Sequence, residues 1–157
     1  MRLAQVNVSR MRAAPESPVM AGFMAAVDPV YRMAEGSPGF VWRLRGAGGH
    51  MPTCRDEGRD WLIVNVSVWE SYEALHQFVY RSRHGGLVRR RAEWFLPTPQ
   101  PSTALWWVVD DHRPELDESR ARLTVLRREG PSPRAFSLRR RFDADGAPVR
   151  RQPRHPS

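Results

Sequence analysis

The stretch WLIVNVSVW, residues 61–69, constrains this chain more than any other. Its residues alternate without a break. Leu62, Val64, Val66 and Val68 fall on one face, and Trp61, Ile63, Asn65, Ser67 and Trp69 on the other. A two-residue period of that length places one side of a β-strand against a core. The opposite side carries tryptophans beside Asn and Ser, which is not an ordinary core face. It reads as a pocket wall or an interface between subunits.

The flanking segments supply the rest of a sheet. RLAQVNV (2–8) alternates as a strand, with Asn7 opposite the Ala4/Val6/Val8 face. VMAGFMAAVDPVYRMAEG (19–36) is apolar at helical spacing, with a kink or break expected near Val27–Asp28 because Pro29 cannot donate a backbone hydrogen bond. FVWRLR (40–45) alternates, and the Gly-rich stretch 46–60 reads as the loop of a hairpin. Residues 70–95 are read as a helix weakened at Gly85-Gly86, and TALWWVVD (103–110) as a fourth strand. PELDESRARLTVLRREG (114–130) has a proline start, an acidic first turn, a basic last turn and a glycine stop, so it is a helix. AFSLRRRF (135–142) reads as a fifth, edge strand. The order is β-α-β-β-α-β followed by α-β. This predicts an α+β fold: a ferredoxin-like antiparallel sheet with helices on one face and a C-terminal helix-strand extension. The valine face is expected to meet the helices.

At 157 residues the chain has room for one domain of ordinary size, expected over residues 2–142. Residues 143–157 read as a basic Pro/Arg-rich tail without order. All 25 basic residues are arginine, and half of the net charge of +8 falls in residues 139–157. That tail is read as a solvated segment and not as a nucleic-acid contact. The single cysteine, Cys54, excludes an intramolecular disulfide framework and a Cys-rich zinc site. No window approaches the length of a membrane span, and residues 1–15 lack a signal-peptide core, so a cytoplasmic protein without a membrane partner is expected.

Among the five histidines, no spacing makes a His-based zinc site. His84 stands out. It lies at the helix break Ser82-Arg83-His84-Gly85-Gly86, near Arg89 and Arg91, where a neutral imidazole could act as a base or ligate iron. The other reading of His84 is a helix cap. The wall residues expected from register are Trp61 and Trp69, with Trp42 or Arg43 and Trp106 or Trp107.

The block VNVSVWESYEALHQFVYRSRHGGLVRRRAEWF, followed by LWWVVDDHRPELDESRARL and GPSPRAFSLRRRF, resembles the bacterial DUF3291 family of domains of unknown function. Its central strand-helix unit is similar to the dimeric α+β barrel superfamily, which includes antibiotic-biosynthesis monooxygenases, haem-degrading monooxygenases and stress-responsive barrels. The resemblance implies a homodimer with a small-molecule ligand and an enzyme of oxygenase-like or haem-dependent type. Asn7 and Asn65 would then be catalytic, orienting the substrate. Trp61, Trp69, Trp106 and Phe78 would wall the pocket, and Arg89 or Arg91 would hold a carboxylate. Haem is the implied cofactor, with His84 on the iron; the other branch has no cofactor. The haem-degrading pattern is only partly present. Asn7 matches, Phe78 stands where that branch has a tryptophan, and the ligand position falls on Val88 or Arg89. The rival expectation is a non-catalytic ligand-binding or stress-associated dimer.

Overall fold

A computed structural model describes residues 1–46, 49–58, 60–82 and 89–150. In order these form β1 (Arg2–Met11), α1 (Ala21–Glu35), β2 (Phe40–Arg43), β3 (Thr53–Arg55), β4 (Trp61–Trp69), α2 (Tyr72–Ser82), α3 (Arg91–Trp94), β5 (Phe95–Leu96), β6 (Thr103–Val108) and α4 (Leu116–Glu129). The strands make one antiparallel sheet in the order β2-β4-β1, with β6 beside β1. That is the ferredoxin-like arrangement. β3 lengthens the β2 edge alongside the start of β4, and β5 lengthens the β6 edge alongside the end of β1.

The expected strand 61–69 forms with the boundaries read from its alternation. Its two faces take different partners. Val64, Val66 and Val68 pack with Ala4, Val6, Val8, Ala104 and Trp106 beneath Leu123 and Leu126 of α4. The helices of the β-α-β-β-α-β core, α1 and α2, lie across the opposite face. The valine face therefore meets a helix as expected, but that helix is the C-terminal extension. The face expected to stand open is instead roofed by α1 and α2. Trp69 and Trp106 are buried within the single chain, at 1% and 0% exposure. Trp61 and Trp42 remain half-buried.

Helix α1 runs through Pro29 without the break expected near Val27–Asp28. Phe23, Val27 and Tyr31 recur at four-residue spacing and are buried against Met11, Ile63, Trp94 and Phe95. Burying that stripe offsets the roughly 3 kcal/mol that an interior proline costs. α2 starts on Ser71, whose Oγ accepts a hydrogen bond from the Ala74 amide at 3.1 Å. α4 stops at Gly130, with φ at 74°. Its Arg127 donates to the carbonyls of Pro101 and Pro99, tying the helix to the loop before β6.

The segment expected to form a fifth strand makes a single bridge to the sheet, at Phe136. Phe136 and Leu105 exchange two backbone hydrogen bonds of 2.8 Å. The chain then crosses α2, where the Arg141 guanidinium lies 3.6 Å from the centre of the Tyr72 ring, and the Trp107 Nε1–H donates to the Phe142 carbonyl. Residues 143–150 close a turn in which Asp143 and Ala147 pair, as do Val149 and Arg141. Regular hydrogen bonding thus extends beyond Phe142, and residues 151–157 lie outside the described residues. No helix among the described residues is long and apolar enough to cross a membrane.

Candidate functional site

The sheet face under α1 and α2 has a polar middle. β1 contributes Gln5, Asn7 and Ser9, β4 contributes Asn65 and Ser67, and β6 contributes Thr103. Aromatic clusters close both ends of this stripe. At one end Trp69 stacks on Phe78 with ring centres 5.2 Å apart, and Phe40 meets Trp69 edge-on at 5.4 Å. At the other end Phe23 packs against Trp94 and Phe95. Between them lies a cleft of about 820 Å³, within the range of small-molecule sites.

The chain has two asparagines, and both stand in this floor, directly opposite one another in the β1–β4 register. Asn7 donates from Nδ2 to Thr103 Oγ1 at 2.7 Å, which turns its amide and leaves Oδ1 free to accept. The Asn65 side chain makes no hydrogen bond to a described residue. The neighbouring polar groups are already matched. Ser67 Oγ accepts from Gln5 Nε2 and from Trp69 Nε1, both at 2.9 Å. Asn65 is therefore the floor group with full donor and acceptor capacity to offer a ligand.

A β-bulge delivers the next residue. Phe40 pairs with Trp69, but Trp42 pairs with Val68 and Arg43 with Ser67. The extra residue reverses the alternation of β2, so Phe40 and Arg43 share the cleft face while Trp42 joins the valine side. Arg43 donates from Nε to Glu35 Oε1 at 2.8 Å, and its guanidinium covers the Tyr31 ring at 4.0 Å. Its side chain is 9% exposed, and Nη1 has no partner among the described residues. Neither has the buried Tyr31 hydroxyl. The Arg43 hydrogen bond holds the Glu35 carboxyl below the usual carboxylate range. Burial pushes the Tyr31 phenol well above its usual range, and Arg43 opposes this only in part.

That shift has a testable sign. The folded chain holds the Tyr31 proton more tightly than the unfolded chain, so the contribution to stability is complete below about pH 10 and is lost above it. Burial raises the Cys54 thiol too, which acts in the same direction from about pH 9. No lysine titrates in this window, because every basic residue is arginine. In a Cys54→Ala background, the urea midpoint should fall between pH 9.5 and pH 11. Tyr31→Phe should flatten that fall. An unchanged slope would mean that the phenol is not buried.

Asn7, Asn65, Trp69 and Phe78 come together in the cleft. Arg91 lines it as well and donates from Nη2 to Ser9 Oγ at 3.1 Å. Trp61 lies at the end of the same face, half-buried, with Arg55 over its ring at 4.8 Å, outside the cleft lining. Trp106 faces the other way. It pairs with Ala4 in register and is buried on the valine side, near Arg122 of α4. Trp107 takes the cleft-side register but packs against Phe142. Arg89 is exposed and does not line the cleft. His84 lies outside the described residues, as does Val88. Sequence reasoning missed Tyr31 and Thr103, and left Arg43 as an alternative to Trp42.

Haem needs an axial donor. His84, the residue expected to supply it, is not among the described residues, and the described lining contains neither His nor Cys. The described residues give haem no support.

The family model for a domain of unknown function, DUF3291, matches residues 2–152. The chain belongs to the DUF3291 family. No curated protein matches this DUF3291 chain. Among solved structures, it is similar to SnoaB, a cofactor-independent oxygenase from Streptomyces nogalater. The similarity covers 73% of this chain and 98% of that one, at 18% identity and a TM-score of 0.43.

Proposed function

We propose that this DUF3291 chain is a small-molecule enzyme of oxygenase type, working in the cleft between the sheet and helices α1 and α2. One observation carries the proposal. Both asparagines of the chain face each other on the floor of a largely apolar cleft, and Asn65 makes no hydrogen bond to a described residue. An enolisable ring compound would lie along the aromatic walls with an oxygen on the Asn65 amide. Negative charge gathers on that oxygen when the substrate gives up its proton to solvent water, and a fixed amide donor in an apolar cleft stabilises it more than water would. Asn7 Oδ1 would accept from a second substrate hydroxyl. The enolate is its own reductant: its carbon forms a bond to O₂, the peroxide takes back the proton, and loss of water breaks the O–O bond and leaves a new carbonyl, so the protein's tasks are binding and orientation.

The prediction is specific. Oxygen uptake with a panel of enolisable aromatic ketones and hydroquinones should exceed their spontaneous autoxidation. Asn65→Leu should lower the turnover by roughly 100-fold, the usual loss for one oxyanion donor. Its melting temperature should stay within a few degrees of wild type. No uptake above the spontaneous rate, or full activity in Asn65→Leu, would refute the oxygenase reading.

One observation favours a second reading, a ligand-binding protein without catalysis. The described cleft lining contains no Asp, Glu or His to act as a general base. Saturable binding without oxygen uptake would support that reading. The proposed homodimer follows from the family resemblance, and its contact would lie outside the sheet faces, which the chain's own helices cover. Light scattering should then give about twice 18.1 kDa.

A further inference from the structure

The charges around the cleft do not balance. Arg43, Arg81, Arg90 and Arg91 line it, and no acidic residue is among the described lining. Arg90 is held by Glu93 at 2.7 Å, and Arg91 by Ser9. Arg43 is the deepest of the four. Its one carboxylate partner, Glu35, is shared with Arg45 at 2.9 Å, so two guanidiniums divide a single negative charge. The cluster carries a surplus positive charge. Among the described residues, Arg43 Nη1 and the Tyr31 hydroxyl are the two buried, unpartnered polar atoms on this wall. A buried donor without an acceptor costs about 1–3 kcal/mol, and more when it is charged. A buried cationic donor that no described acceptor matches, set beside an apolar cavity, suits an anionic group.

We infer that the cleft takes apolar organic anions and that Arg43, with Tyr31 beside it, seats the anionic group, a carboxylate or an acidic enol or phenol. The inference rests on the cleft being the ligand site and adds the chemical class of the ligand. A guanidinium with Nε committed to Glu35 still presents Nη1 to one oxygen. The Tyr31 phenol, kept protonated by burial, can donate to the same oxygen or its neighbour. The same positive charge favours the ionised form of a weakly acidic substrate, which lessens the need for a protein base. Arg91, at the Ser9 end of the stripe, adds long-range attraction for an anion entering the cleft.

Two fluorescent probes with one ring system separate the possibilities: 8-anilinonaphthalene-1-sulfonate and its uncharged analogue N-phenyl-1-naphthylamine. Wild type should bind one sulfonate per chain, about ten-fold or more tighter than the neutral probe. Added salt should weaken only the sulfonate. Arg43→Met should lower sulfonate affinity by about 30-fold, the value of one charged hydrogen bond, and leave the neutral probe unchanged. Arg43→Lys keeps the charge but loses the planar fork, and should fall between them. Melting curves show whether each variant folds. If the Met variant does not, the Lys variant and the salt dependence decide. Equal binding of the two probes by wild type, or an intact sulfonate preference in a folded Arg43 variant, overturns the inference and leaves the cleft reading standing. If neither probe binds, the cleft reading fails and the inference falls with it.

Discussion

Replacing Trp69 by alanine is expected to destabilise the chain by about 3–5 kcal/mol, the range for removing a buried aromatic ring. For a domain of this size that lowers the melting temperature by roughly 10 °C. The ring is 1% exposed. It stacks on Phe78, meets Phe40 edge-on, and donates from Nε1 to Ser67 Oγ. Its loss opens the end wall of the cleft and removes one of the two donors that Ser67 accepts. Trp69→Phe separates these contributions. It keeps a stacking ring and gives up one hydrogen bond, which costs about 1 kcal/mol. Thermal melting of both variants checks the order. Equal losses in the two would mean that the hydrogen bond outweighs the packing, which the account does not allow.

The second large effect sits where α1 hands over to β2. Gly39 has φ at 82°, and a Cβ placed on it would lie 2.4 Å from the Ala74 Cβ of α2. No rotamer change relieves that contact, because neither Cβ can rotate away. Gly39→Ala should therefore cost about 3 kcal/mol, combining left-handed backbone strain with overpacking. A double-mutant cycle apportions the two. In an Ala74→Gly background the clash disappears and only the strain of about 1–2 kcal/mol should remain. Additive losses in denaturant melts would show that the helix and the turn do not touch.

These two positions also mark what could be read from the residues and what could not. β4 was legible because nine residues alternate without a break, and a one-residue slip would turn every valine to the wrong side. The same alternation assigned Asn65 and Trp69 to one face, and RLAQVNV put Asn7 opposite its own valines. Local pattern could not place Arg43. A bulge at Val41 reverses β2, and nothing in FVWRLR distinguishes a bulged strand from a regular one. Nor could it choose between Trp106 and Trp107, adjacent residues in one apolar run whose register is set by β1. The exchange of helices between the faces is a long-range effect. α4 reads as a well-punctuated helix, but only the packed structure shows that its Leu123 and Leu126 claim the valine side. Pro29 does not end α1, because propensity yields to a helix face that is buried over several turns.

The most direct test of the account is a nitrogen-15 spectrum of the side-chain amides and indoles, titrated with 8-anilinonaphthalene-1-sulfonate. The chain offers six carboxamides and six indoles as reporters. The Asn7 and Asn65 amides and the Trp69 indole face the cleft, whereas the Trp106 indole lies on the other side of the sheet. Saturable shifts of Asn7, Asn65 and Trp69 together are expected, with Trp106 unmoved. Shifts at Trp106 while both asparagines stay still would place the ligand elsewhere and contradict it.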